Sequence, residues 1–144
     1  MPSVRKDIIN DVITKLKTIT SPRIGKVSEK PGDFARLART AYPFVQVNVE
    51  NETKEDIAME WRLATLQVAI TVHIEGKSKT EKSEEQLADI IEAIEEKLEA
   101  DRKRDSKAQT TEVLEVGEME VSSYPTLAQT IRVGIQYTYS RGNT

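Results

Sequence analysis

At 144 residues, with 31% charged and 38% hydrophobic residues and a formal net charge of -3, the chain has the length and composition of one folded domain, residues 1–144, with a well solvated exterior. Its 21 Lys and Arg are outnumbered by 24 Asp and Glu, so it lacks the basic excess that grips a phosphate backbone, and direct nucleic-acid readout is not expected. The absence of cysteine excludes disulfides, thiolate nucleophiles and thiolate metal sites, and fits an intracellular protein.

The N-terminal residues bring Arg5, Lys6, Asp7 and Asp11 in place of an apolar signal core, so secretion by a signal peptide is not expected. Val4, Ile8, Ile9, Val12, Ile13 and Leu16 recur at helical spacing, which predicts an amphipathic helix over residues 4–16, with Ser3 placed to cap it. Ser21-Pro22 ends it, because the position before proline is pushed out of the α region. A short strand over 23–29 follows, then a loop over 30–40 carrying a helical turn, marked by Pro31-Gly32 and by Phe34, Leu37 and Ala38. Residues 42–50 alternate Val45, Val47 and Val49 with Gln46, Asn48 and Glu50, the pattern of a half-buried strand.

Residues 51–56 read as a polar loop leading into a long extended segment. There Met59, Trp61 and Leu63 are apolar at odd positions, whereas Leu66, Val68, Ile70, Val72 and Ile74 are apolar at even ones. A one-residue slip reverses the face a side chain occupies, so this change of phase predicts a β-bulge near Leu63 and Ala64. Thr65, Gln67, Thr71 and His73 interrupt the same segment, and no apolar run approaches the roughly 20 residues of a spanning helix. No membrane span is expected.

A polar linker over 76–82 leads to Ser83-Glu84-Glu85-Gln86, which has the form of a capping box. Leu87, Ile90, Ile91, Ile94 and Leu98 then form one stripe of a second amphipathic helix, with acidic residues on its other faces. Arg102-Lys103-Arg104 reads as a solvated helix end whose charge complements the helix dipole. Two strands close the chain. The first, over 112–121, shifts phase at Gly117, and the second alternates Leu127, Ile131, Val133, Ile135, Tyr137 and Tyr139 with Thr130, Arg132, Gly134, Gln136 and Thr138. Tyr124-Pro125 marks the turn between them. The expected fold is α+β: a mixed, mainly antiparallel sheet of about five strands packed on two amphipathic helices, in the order α-β-β-β-α-β-β.

The sequence offers little for chemistry. His73, the single histidine, falls on the polar side of its strand with Thr71 and Glu75 and reads as a surface or interface residue. No G-x-S-x-G, P-loop, dinucleotide fingerprint or calcium loop is present. Catalytic residues, cofactors and metal ligands are therefore assigned to no position, although a small ligand-binding domain or a carboxylate-based enzyme with an acidic cleft stays open. The lone Trp61 reads either as a sheet aromatic or, with Met59 and Leu63, as an apolar patch covered by a neighbouring subunit. Asn51, Glu52, Thr53 and Lys54 join these three as candidate interface residues on a hairpin arm.

The opening helix Arg5-Lys6-Asp7-Ile8-Ile9-Asn10-Asp11-Val12-Ile13 leads to Tyr42-Pro43-Phe44-Val45-Gln46-Val47. The long strand Leu66 to Ile74, the acidic helix from Ser83 and the closing hairpin ending Ile135-Gln136-Tyr137-Thr138-Tyr139 follow. This layout resembles the tail terminator family of long-tailed phages. The resemblance implies a homo-oligomeric ring, typically a hexamer, that caps the tail tube protein and meets a head completion or connector protein. It further implies a place in the virion tail, after assembly in the host cytoplasm, and no catalysis. Another head-tail joining protein, a minor tail protein and an adaptor without phage connection remain alternatives.

Overall fold

Two amphipathic helices need a common apolar surface, and the alternating strands supply one. The computed structural model describes residues 4–19, 24–28, 43–57, 60–75, 81–100, 110–118, 120–121 and 126–140. Helix α1 (Val4–Lys17) buries Ile8, Ile9, Val12 and Leu16. It closes with Thr18 and Ile19 donating backbone N–H groups to the carbonyls of Lys15 and Leu16 at 3.1 and 3.2 Å. Helix α2 (Glu81–Ala100) buries the stripe Leu87, Ile90, Ile91, Ile94 and Leu98. It starts two residues before Ser83, so Ser83 lies inside the first turn instead of capping it.

The strands are β1 (Lys26–Ser28), β2 (Phe44–Asp56), β3 (Trp61–Glu75), β4 (Thr110–Val116), β5 (Glu120–Val121) and β6 (Thr126–Ser140). They form one sheet in the order β1-β2-β3-β6-β4, with β5 also on β6. β1 runs parallel to β2, and β2, β3, β6 and β4 make an antiparallel core. The fold is α+β. The single strand expected over 112–121 is two, separated at Gly117 and Glu118. There the Gly117 N–H donates to the Thr130 carbonyl at 2.8 Å, and a Cβ at Gly117 would stand 3.2 Å from that same oxygen. The break follows from that close approach, which favours glycine. The expected loop over 30–40, the turn at Tyr124-Pro125 and the basic run Arg102-Lys103-Arg104 lie outside the described residues.

Two sequence expectations about the hairpin are corrected. Residues 51–56 are not a loop but the second half of β2, paired with β3 from Asn51↔Gln67 to Asp56↔Arg62. The bulge is in β2 as well, where the register shifts between Val49 and Asn51 and leaves Glu50 as the extra residue. β3 pairs with β6 without interruption from Trp61↔Ser140 to Glu75↔Thr126, so no bulge lies near Leu63 and Ala64. The apolar phase of β3 changes because its two halves use different faces. Ala64, Leu66, Val68, Ile70, Val72 and Ile74 point at the helices, whereas Trp61 and Leu63 lie on the other face.

Burial of α2 generates a stability prediction. Ile94 is fully buried, and Ile94→Ala should cost about 2 to 5 kcal/mol in urea unfolding. Exposed Glu96→Ala should change stability by less than about 0.5 kcal/mol, and equal midpoint shifts for the two would show that the wrong helix face was chosen.

Candidate functional site

The bulge at Glu50 decides what the far end of the sheet presents. Before it, Val45 and Val47 face the helices; after it the alternation inverts, so Glu52, opposite Leu66, faces them instead. The Glu52 side chain, 11% exposed, accepts hydrogen bonds from the Arg5 guanidinium in the first turn of α1 and from the Tyr137 hydroxyl on β6. Burial, and then the hydrogen bond and charge of Glu52, raise the Tyr137 hydroxyl well above its ordinary pKa, so it stays a donor. The hydrogen bond to Glu52 likewise raises the Arg5 guanidinium above its ordinary value. Two residues further on, the Lys54 ammonium sits 5.0 Å from the centroid of the Tyr139 ring. Arg62 reaches Asp56 at 2.9 Å across the same strand pair.

Beyond this clasp the sheet carries exposed side chains. Fifteen-residue strands span roughly 50 Å at about 3.4 Å per residue, whereas α2, with 20 residues, spans about 30 Å. Thr53, Lys54, Glu55, Asp56 and Ile57 on one strand and Glu60 and Trp61 on the next are exposed, Ile57 by 52% and Trp61 by 49%. The Ile57 N–H donates to the Trp61 carbonyl at 3.3 Å and holds these two apolar side chains at one end of the hairpin.

Of the seven residues singled out from the sequence, Asn51, Thr53, Lys54 and Trp61 are exposed and Leu63 is half-buried. Glu52 is engaged within the chain, and Met59 lies outside the described residues. The expected two-stranded arm is a three-stranded one, because β6 follows β3 to its first residue. Sequence reasoning missed Arg5 and Tyr137 as partners of Glu52: they stand 47 and 85 positions away, and nothing local marks the pairing.

The sheet face away from the helices is the second candidate. His73 is on this face, as its alternation requires, but it is 5% exposed and not a surface residue. Its register neighbours are Phe44 and Ala128, and the Phe44 ring lies 6.0 Å away in a tilted contact. A hollow of about 220 Å³ beside it is lined by Thr71, Thr130, Glu118 and Arg132, smaller than the roughly 300 Å³ at which small-molecule pockets begin. Thr71 and Thr130 share a 3.0 Å hydrogen bond, and Arg132 crosses above buried Ala69 to bond Glu50 at 3.0 Å, with Glu115 at 3.9 Å on its other side. These polar groups satisfy one another.

A third feature is a groove of about 660 Å³ between α2 and the β4 side of the sheet, walled by Glu84, Glu92, Glu95 and Glu118 over Ile91 and Val116. Among the described residues, no group of three or more His, Asp or Glu side chains is placed to hold a metal ion. Among them, too, no helix is long and apolar enough to cross a membrane. No protein-family model matches the chain. No curated protein matches it either.

Two predictions follow from these contacts. Removing the Glu52 carboxylate strands Tyr137 and Arg5, so Glu52→Ala should cost about 1 to 3 kcal/mol in chemical unfolding, while exposed Glu55→Ala should be close to neutral. Burial also holds the His73 imidazole below its ordinary pKa of 6.5. The unfolded chain therefore takes up a proton that the folded chain refuses, and stability present above pH 6.5 is lost as pH falls below it. Unfolding measured at pH 7.5 and 5.5 should show that loss in the wild type and not in His73→Gln, since the chain has no other histidine. Equal pH dependence in both would mean that His73 is solvated.

Proposed function

We propose that the protein is a structural subunit of a phage tail, a tail terminator that closes the tail tube and meets the head completion or connector protein. In this reading it acts by recognition, without catalysis, in a homo-oligomeric ring of the virion tail assembled in the host cytoplasm. The observation that carries it is the three-stranded end of the sheet. There β2, β3 and β6 continue past the Arg5–Glu52 clasp and expose Trp61 and Ile57 among charged neighbours. An apolar pair exposed at the end of a hairpin is poorly solvated alone, and aromatic side chains rimmed by polar ones are what interface cores are made of. The sequence layout that resembles tail terminators, from the opening helix through the long hairpin and acidic helix to the closing strand, supports the same reading.

A second reading, a small ligand-binding domain, draws on the 660 Å³ groove and its four glutamates. Glu84, Glu92 and Glu118 are exposed to water, which favours solvated charge over a site that desolvates a ligand.

Electron microscopy of the purified protein with tail tubes should show rings seated on tube ends. Trp61→Ala should reduce capping at least tenfold while shifting the melting temperature little, because the side chain is about half exposed. Intact capping by that variant would remove Trp61 from the tube contact, and a monomer that never binds tubes would sink the tail assignment.

A further inference from the structure

Charge is divided unevenly along the chain and across the fold. Residues 1–43 contain nine Lys and Arg against four Asp and Glu, which leaves twelve against twenty for residues 44–144. Within the fold the two helices carry this difference: α1 packs by β1 at one end of the sheet and against α2, and α2 packs over β3, β6 and β4 toward the other end. Helix α1 carries four basic residues against two acidic ones, with Lys6 and Lys17 exposed. Helix α2 carries eight acidic residues against two basic ones, and neighbouring β4 has Glu112 and Glu115 with no basic residue.

The α2 end is also the end with an unfilled surface. Among the described residues β4 pairs on one side only, with β6, and Val116 is 44% exposed at the floor of the 660 Å³ groove, beside Ile91 and below Glu84, Glu92 and Glu118. An apolar floor with an anionic rim fits a partner surface that brings aliphatic stems and ammonium groups, since a lysine buries its methylenes while its charge meets the rim. The basic helix face at the opposite end of the same molecule has that chemistry.

We infer that the partner of this groove is a second copy of the chain: the α2–β4 groove of one copy receives the α1 end of the next. The contact joins two different patches, so it is heterologous and propagates around a ring, whereas a two-fold contact would set acidic groove against acidic groove. The inference rests on the ring reading above and gives it a geometry, with subunits joined side by side through the ends of the sheet and the Trp61 tip left free for the tube. Electrostatic complementarity of this kind sets which faces meet and makes association depend on salt.

Sedimentation velocity on the full chain tests it. The wild type should self-associate in 0.05 M salt and weaken about tenfold or more in 0.5 M salt. Glu84→Lys with Glu92→Lys should weaken assembly by a similar factor, and so should Lys6→Glu with Lys17→Glu, each with circular dichroism and melting unchanged. An equimolar mixture of the two double variants should assemble again, because in an alternating ring every groove then meets a helix of opposite charge. Assembly by either variant alone at wild-type strength, a mixture that stays monomeric, or a wild type monomeric throughout would overturn the contact. Salt-sensitive rings that leave tubes uncapped would sink the tail assignment and leave the contact standing, whereas capping that survives both reversals would do the opposite.

Discussion

Glu52 faces the helices only because β2 holds one residue more than its partner at Glu50. Without that residue the valine phase would run on, and position 52 would fall on the open face with Gln46 and Asn48. The shift lets one carboxylate tie three elements together: α1 through Arg5, β2 through its own backbone, and β6 through Tyr137. Burying a carboxylate is unfavourable unless it is paired and hydrogen-bonded, and both conditions are met here by groups that themselves need an acceptor. The start of α1 is thereby fixed against the sheet, and the exposed hairpin end with Ile57 and Trp61 lies beyond it.

The two faces of the sheet are stabilised by different means. Toward the helices, branched aliphatics from β2, β3 and β6 form one apolar cluster with the stripes of α1 and α2. The other face is held by cross-strand pairs: Phe44 against His73, Thr71 against Thr130, and the chain of Glu50, Arg132 and Glu115 spanning the strands from β2 to β4. Ala69 is small enough for the Arg132 side chain to pass over it, and Gly134 is covered by Leu114, whose Cδ1 would stand 3.1 Å from an added Cβ. Small residues at these two positions leave room for long side chains from neighbouring strands.

Helical and strand periodicity made both helices, the half-buried strand at Val45 and Val47 and the closing strand legible, because each buries a regular stripe that repeats at its own period. The phase conflict between Trp61–Leu63 and Leu66–Ile74 was visible too, but its cause lay elsewhere: a strand that changes which face carries apolar residues looks, in one dimension, like a strand with an extra residue. Polarity misled at residues 51–56, where strand pairing on β3 outweighs composition. The burial of His73 was illegible because its neighbours across the sheet, Phe44 and Ala128, are sequence neighbours neither of His73 nor of each other. Of the candidate surface, the exposure of Trp61 could be anticipated from its place off the main apolar phase, whereas the inward turn of Glu52 required knowing the register.

The position of β6 has a consequence for how the molecule comes together. β6 follows every other described element in the chain, yet it lies in the interior of the sheet, between β3 and β4. Until it arrives, β3 is an edge of the β1-β2-β3 ribbon and β4 has no strand to pair with among the described elements, so neither can complete the surface on which α1 and α2 pack. Its pairing with β3 joins residues as far apart as Trp61 and Ser140 and must overcome the entropy of closing that span before most of the apolar contacts form. Until that pairing forms, β3 and β4 each present an unpaired strand edge that a folding chain must keep from other chains.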